Sequence, residues 1–403
     1  MSAFDRLQAS ANAIAFACIP FFPSFITLTN VAFPGISIVP VPLALVLLGA
    51  MLALAVVASF ALASPPRRKP ALFYPLLVWL GTCVLALVLG LNQRDGSVFV
   101  AILALSMIWH AHIDRFYERP AVARAIWWSY LLSGTAAALA AIAMVVLRVP
   151  AAQYTIANGR AVGTFVLPGE LAGYLIFFLP IAYALARIAQ GAALRVLGWI
   201  ACGAGLLAMI LTFSRTGWVG LAAGIAFLIV MRSRTGRARF VQGAAILAAT
   251  LAIVLMLFNE HHNPSENYTR LSIWQAAIGV IERFPLTGVG PFGFSKIYPL
   301  VRLPDGDVTA FHAHSMYLTF LAELGIVGFL AFGWVMWSFA REWFRRLRAA
   351  PAHAELLTTA IAAGVAGALV QGLIDTVSVV IFGLLLPMLA LALASARSGT
   401  AGA

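Results

Sequence analysis

Apolar segments of bilayer length fill this chain and leave it no way to fold as a soluble protein. Of 403 residues, 62% are hydrophobic and 10% are charged, against about 25% charged in soluble domains. A hydrocarbon layer about 30 Å thick takes about 20 apolar residues per helix. Twelve candidate spans follow, at roughly 11–33, 38–63, 71–90, 97–113, 121–147, 165–187, 196–213, 217–231, 240–258, 315–339, 355–374 and 376–395. The first is broken by Pro20 and Pro23, the fourth holds His110 and His112, and the eighth is short. The expected fold is an all-α polytopic membrane protein, a single integral membrane domain over residues 1–403.

Charge supports that reading. A net charge of +12 in a soluble protein would suggest nucleic acid. Here the charges sit in short loops, so they report topology and no nucleic-acid partner is expected. With twelve spans, one side receives 18 Lys and Arg residues, among them Arg67, Arg119, Arg237, Arg346 and Arg397. The other receives 8: Arg94, Arg148, Arg160, Arg215, Arg270, Arg283, Lys296 and Arg302. The richer side is cytoplasmic by the positive-inside rule, which places both termini there. A wrong helix count would scramble the bias. Of the 26 basic residues, all but Lys69 and Lys296 are Arg, whose planar fork and permanent charge suit phosphate contacts. Cys18, Cys83 and Cys202 each lie in an apolar run with no paired spacing, and read as free packing thiols. The run after Met1 has no small-residue cleavage site and reads as a retained helix.

The main interruption is the long polar loop at 259–314, placed outside the cytoplasm by the charge count. Within it, 268–284 reads as an amphipathic helix, with Leu271, Trp274, Ile278 and Ile281 at helical spacing and Arg270, Gln275, Glu282 and Arg283 on the polar side. Such a helix lies along the membrane surface or packs on the protein, and both readings stand. Pro285 ends it, and a glycine-rich turn with aromatics follows. No internal repeat is evident, whereas many transporters contain repeated halves.

The loop ends in His312-Ala313-His314-Ser315-Met316-Tyr317-Leu318, where a new apolar segment begins. Neutral imidazole accepts a proton from a hydroxyl near physiological pH, which makes His314 a candidate base. A helix-start histidine bonded to backbone would look the same. His312, two residues away, does not share one helical face with His314, and no HExxH or cysteine pattern adds to the pair, so zinc is not expected. Arg215 lies between two spans with almost no loop, where it faces a cavity, an anion or lipid headgroups. Arg160 precedes the sixth span, and Arg270 opens the loop helix. Three external arginines suit one diphosphate if they converge. Asp375, between the last two spans, orients a catalytic residue, pairs with an external Arg or caps a helix. Glu323 lies about two turns into the tenth span, about 13 Å from His314 along a helix. His110 and His112, close to a cytoplasmic end, read as interfacial.

The order of these motifs resembles the O-antigen ligase and polymerase superfamily: Thr212-Phe213-Ser214-Arg215-Thr216-Gly217-Trp218, Arg270-Leu271-Ser272-Ile273-Trp274, Pro285-Leu286-Thr287-Gly288-Val289-Gly290, His314-Ser315-Met316-Tyr317-Leu318 and Glu323-Leu324-Gly325. The resemblance covers roughly 155–330. It implies a C-type glycosyltransferase architecture with a periplasmic active site in the bacterial inner membrane. Its ligases transfer a glycan from undecaprenyl diphosphate to the lipid A core oligosaccharide, by metal-independent, inverting chemistry and without a cofactor. His314 matches the family's base, and Arg160, Arg215 and Arg270 its diphosphate-facing arginines. Asp375, with a shorter surrounding motif, and His312 are supporting candidates. Ser315 stands where relatives commonly carry Asn. A polymerase shares the donor but takes a second lipid-linked glycan as acceptor. A lipid-linked-glycan transporter is the reading from another class, but its charges belong near the midplane, whereas these candidates gather at one face.

Overall fold

The computed structural model describes residues 3–21, 69–232, 241–244, 246, 265–304, 306, 308, 310–376 and 384–397. The expected spans at 38–63 and, for the most part, 240–258 lie outside them, as do parts of the first and last. Among the described residues the chain is all helical. The helices are α1 (Ala3–Cys18), α2 (Phe73–Leu89), α3 (Gln93–Phe116), α4 (Pro120–Leu147), α5 (Ala151–Ile156), α6 (Pro168–Ile188), α7 (Ala192–Leu211), α8 (Arg215–Arg232), α9 (Ser265–Arg283), α10 (Phe294–Val301), α11 (Met316–Leu347), α12 (Ala352–Gln371) and α13 (Leu385–Ser395). Seven of these (α3, α4, α6, α7, α8, α11 and most of α12) are long and apolar enough to cross a bilayer; α2 and α13 are shorter apolar helices.

α6 is the centre of the bundle and packs on α7, α8 and α12. It is buried almost all round, as expected of a helix apolar on every face. Tyr130 of α4 meets Tyr174 and Phe178 of α6 in one aromatic stack. α8 and α12 approach backbone to backbone. A Cβ on Gly220 would lie 2.9 Å from the Gly367 carbonyl oxygen, and one on Gly224 would lie 2.8 Å from that of Ala363. Small residues allow this approach where lipid supplies no hydrophobic drive. It fixes the N-terminus of α8 against the C-terminal end of α12. The three cysteines are free, Cys83 being fully buried.

The bundle has two chemically distinct ends. At one, Arg346 and Arg397 pair with Asp114 at 3.7 and 2.8 Å, Arg346 also holds Glu342 at 2.6 Å, and Arg119 pairs with Asp5. All three arginines belong to the side with the larger basic count. His110 and His112 are fully buried rather than interfacial: His110 Nδ1 bonds the Leu386 carbonyl at 3.0 Å, and His112 Nε2 bonds Asn12 Nδ2 at 3.0 Å. The other end carries Arg160, Arg215, Asp375 and the histidines.

α11 is interrupted. Gly325 takes φ 64°, ψ −174°, a region open essentially to glycine alone. Ala322 and Glu323 would ordinarily accept from Ile326 and Val327. Instead their carbonyls accept from Val289 and Gly290 at 2.9 Å each, while Ile326 and Val327 donate to Pro285 and Leu286 at 2.8 and 3.3 Å. Two helical bonds become four bonds to the loop, so the four backbone groups released by the break are all paired. The fit leaves no room for side chains, since a Cβ on Gly288 would lie 2.4 Å from the Glu323 carbonyl carbon. The same loop docks on the α2–α3 turn, where Leu91 donates to Val289 at 2.8 Å and Asn92 to Phe292 at 3.1 Å.

Candidate functional site

The site starts at the turn between α7 and α8. Thr212 Oγ1 donates to Met209 at 2.7 Å and accepts from the Ser214 amide at 3.2 Å, while Ser214 Oγ accepts from the Gly217 amide at 3.2 Å. Phe213 between them sits at φ 47°. Arg160 holds this turn from outside: its Nε donates to the Thr212 carbonyl at 2.9 Å and its Nη2 to that of Phe213 at 3.4 Å. Arg215 is the first residue of α8, so its cation stands at the positive end of the helix dipole, where cations are disfavoured and anions favoured. That placement is costly for stability and useful for binding an anion.

The next residue, Thr216, donates to Asp375 Oδ2 at 3.4 Å. Asp375 Oδ1 accepts from the Thr376 amide at 2.8 Å. The same carboxylate lies over Gly169 at the start of α6, where a Cβ would be 2.7 Å from Oδ2. Asp375 therefore sits between two helix N-termini, a favourable place for a carboxylate. Gln371 Nε2 closes the junction on the Gly169 carbonyl at 3.1 Å.

Asp375 also adjoins the histidine segment. The Met316 amide donates to the Gly372 carbonyl at 2.8 Å, and Tyr317 Oη to that of Leu369 at 2.9 Å. Thr319 Oγ1 lies 3.2 Å from Thr376 Oγ1 and accepts from the Ala313 amide at 3.2 Å. Ser315 is the N-cap of α11, its side chain accepting from Leu318. The helix thus starts after both histidines and places neither on a helical face. In the turn their rings touch, with centroids 4.6 Å apart, edge to face. His314 holds φ 47°, an uncommon conformation for a non-glycine residue. Its amide donates to His312 Nδ1 at 3.2 Å, so the proton of His312 belongs on Nε2. Burial, then the neighbouring His314 and Arg270, hold His312 down to about 3, well below the ordinary histidine range. His312 is a neutral acceptor that buttresses the backbone of His314.

Arg270 enters on α9, which packs on α11. Ile273, Ala276, Ala277 and Val280 of α9 meet Val289, Phe294, Ala313 and Ala322 in one cluster. The expected helix is present, but its packing face is this small-residue face. Leu271 and Ile278 of the expected stripe are exposed instead.

One line of contacts therefore runs from Arg160 through the Arg215 turn, Asp375 and the Thr319–Thr376 pair to Ala313, His314 and His312, and Arg270 acts on His312 electrostatically. Among the described residues no group of three or more His, Cys, Asp or Glu gathers as metal ligands do. Glu323 is set apart, buried beneath the amides of Phe292 and Phe294.

Residues 200–333 match the O-Antigen ligase family model. Over that part of the chain the match is to the family that the order of motifs resembles, and it supports a function of the ligase and polymerase kind in lipopolysaccharide synthesis. The matched stretch holds Arg215, Arg270, His312 and His314, together with the glycine turn and Glu323-Leu324-Gly325. Arg160 and Asp375 lie outside it and reach it through the contacts above. A comparison with curated proteins found no match. The apolar helices and the family match together describe a multi-pass membrane protein.

Three threonines were missed by sequence reading. Thr216 adjoins Arg215 in the quoted motif, and that proximity was the one signal that could have found it. Thr319 and Thr376 carried no signal, because their role depends on a contact between α11 and the segment after α12.

Proposed function

We propose that this protein transfers O-antigen glycan from undecaprenyl diphosphate to the lipid A core oligosaccharide, on the periplasmic face of the bacterial inner membrane. The carrying observation is the line of contacts that ties the His314 segment to the Arg215 turn through Asp375 and the Thr319–Thr376 pair, with Arg270 acting on His312 from the other side. Arg160, Arg215 and Arg270 form the diphosphate cradle, with Arg160 also holding the turn that presents Arg215. An acceptor hydroxyl attacks the anomeric carbon from the face opposite the diphosphate. The new C–O bond forms as the bond to diphosphate breaks, and the hydroxyl proton passes to His314. The donor's anomeric configuration inverts. The guanidinium groups stabilise the charge developing on the leaving undecaprenyl diphosphate, as fixed cations do best where water is excluded, and serve where many phosphate-leaving transferases use a divalent cation. His312 and Asp375 hold the base and the cradle in register.

The test offers purified protein undecaprenyl-diphosphate glycan with either lipid A core or a second lipid-linked glycan as acceptor. Glycosylated lipid A core is the expected product. Longer lipid-linked glycan would make the protein a polymerase, and absence of both products, with divalent metals supplied, would reject both activities.

A further inference from the structure

Helix α9 presents three faces. Ile273, Ala276, Ala277 and Val280 pack inward. Gln275 and Glu282 are exposed and polar. Between them lie Leu271, Trp274, Ile278 and Ile281, spaced i, i+3, i+7, i+10. Leu271 is 56% and Ile278 47% exposed, whereas Trp274 is half-buried with its indole Nε1 inside and Ile281 packs against the inward cluster. Bulky apolar side chains left outside a packed helix need a partner.

The break in α11 indicates which. α11 has 32 residues, about 48 Å at 1.5 Å per residue, longer than the hydrocarbon layer. Its far end carries Arg341, Glu342, Arg345 and Arg346. Counting about 20 residues back from Arg341 puts the other hydrocarbon boundary near Leu321. Ile326 and Val327 then lie inside the layer, and their side chains and that of Leu330 are exposed on the outer face of α11. Pro285 and Leu286 accept hydrogen bonds from these two residues, so the turn after α9 reaches the same depth. Phe284 and Leu286, the latter 65% exposed, continue the apolar surface of α11. Non-helical backbone is tolerated at that depth where the protein satisfies its polar groups, and the bonds from Ile326 and Val327 do so for the Pro285 and Leu286 carbonyls. Arg283, at the end of α9, is exposed, and a long Arg side chain reaches from an apolar surface to the headgroups.

We propose that α9 lies in the interface of the leaflet on the His314 side, its Leu271 and Ile278 side chains against lipid, and that Phe284, Pro285 and Leu286 form a shallow re-entrant turn. The occupant of this face is the bilayer itself. Arg270 sits on the border between the lipid-facing side chains and the inward face, so a headgroup moving in the leaflet meets it first.

The test uses the full chain with Cys18, Cys83 and Cys202 replaced, carrying single cysteines in place of Ile278, Leu286 or Glu282, labelled with an environment-sensitive fluorophore in lipid nanodiscs. Spin-labelled lipid should quench Ile278→Cys and Leu286→Cys several-fold more than aqueous iodide does, with the reverse for Glu282→Cys. Iodide quenching of Ile278→Cys as strong as that of Glu282→Cys would place this face in water. Protection from both quenchers would place it under protein, such as a second copy. Either result overturns the proposal. The readout needs no glycan transfer, and Leu286→Cys serves independently if Ile278→Cys does not fold.

Discussion

Asp375 accepts a hydrogen bond from Thr216, the neighbour of Arg215, at 3.4 Å, and so joins the segment after α12 to the N-terminus of α8. The bond matters because both helix starts at this junction are positive and one carries Arg215. Asp375→Ala removes the acceptor and the charge together. A charged hydrogen-bond partner of this kind contributes about 1.5–3 kcal/mol, so transfer should fall by on the order of tenfold or more. Asp375→Asn keeps an oxygen for Thr216 and should fall less. Equal activity of Asp375→Ala and the unaltered protein in the transfer assay would remove Asp375 from the site.

Arg160 acts first on the turn it holds. Arg160→Lys keeps the charge but loses the fork that spans the Thr212 and Phe213 carbonyls. The expected result is weaker donor binding, seen as a raised KM for the lipid-linked glycan, with the protein still inserted and monodisperse. An unchanged KM would mean that the turn stands without the fork.

His312 predicts a pH dependence. Its value in the folded protein is lowered to about 3, against about 6.5 unperturbed. Above the unperturbed value both folded and unfolded segments are neutral and His312 has no effect. As pH falls below it, the unfolded segment takes up a proton that the folded one refuses until about 3, so stability declines across that window. Melting temperature should therefore drop more steeply between pH 6.5 and 4.5, values set by that same window, than in His312→Asn. Asn offers an acceptor oxygen to the His314 amide without titrating, and should retain most transfer activity. Parallel melting curves would contradict the assignment.

The glycines of the α11 break predict stability. Gly325→Ala puts a Cβ 2.2 Å from the Leu286 carbonyl oxygen at φ 64°. Backbone strain alone costs about 1–3 kcal/mol, and the clash adds to it. Thermal unfolding in nanodiscs should shift down clearly, whereas Gly333→Ala, with open space around its Cβ, should not.

The spans were legible because their apolar length is a property of local composition, and helices occupy most of them wherever residues are described. Motif order singled out His314, Arg215 and Arg270 as candidates, and all three lie in the stretch that the family model matches. The pairing of His312 with His314 was not legible, because it depends on where α11 begins, and the Ser315 cap sets that start at Met316, after both histidines. The break at Gly325 was hidden because the sequence around it keeps a helical apolar pattern; the Pro285 turn replaces the lost bonds from a distance. The packing face of α9 was not legible for a related reason. Ala276 and Ala277 look neutral in sequence, yet they allow the close approach, and the bulkier Leu271 and Ile278 are left outside.

The most direct measurement is single-turnover transfer by purified protein from undecaprenyl-diphosphate glycan to lipid A core, comparing the unaltered chain with His314→Ala and Arg215→Ala. Loss of a general base costs about 10²–10⁴-fold, and loss of one charge-stabilising donor about 10²–10³-fold. Both variants should insert normally and fall within those ranges. Full transfer by His314→Ala would contradict its assignment as the base.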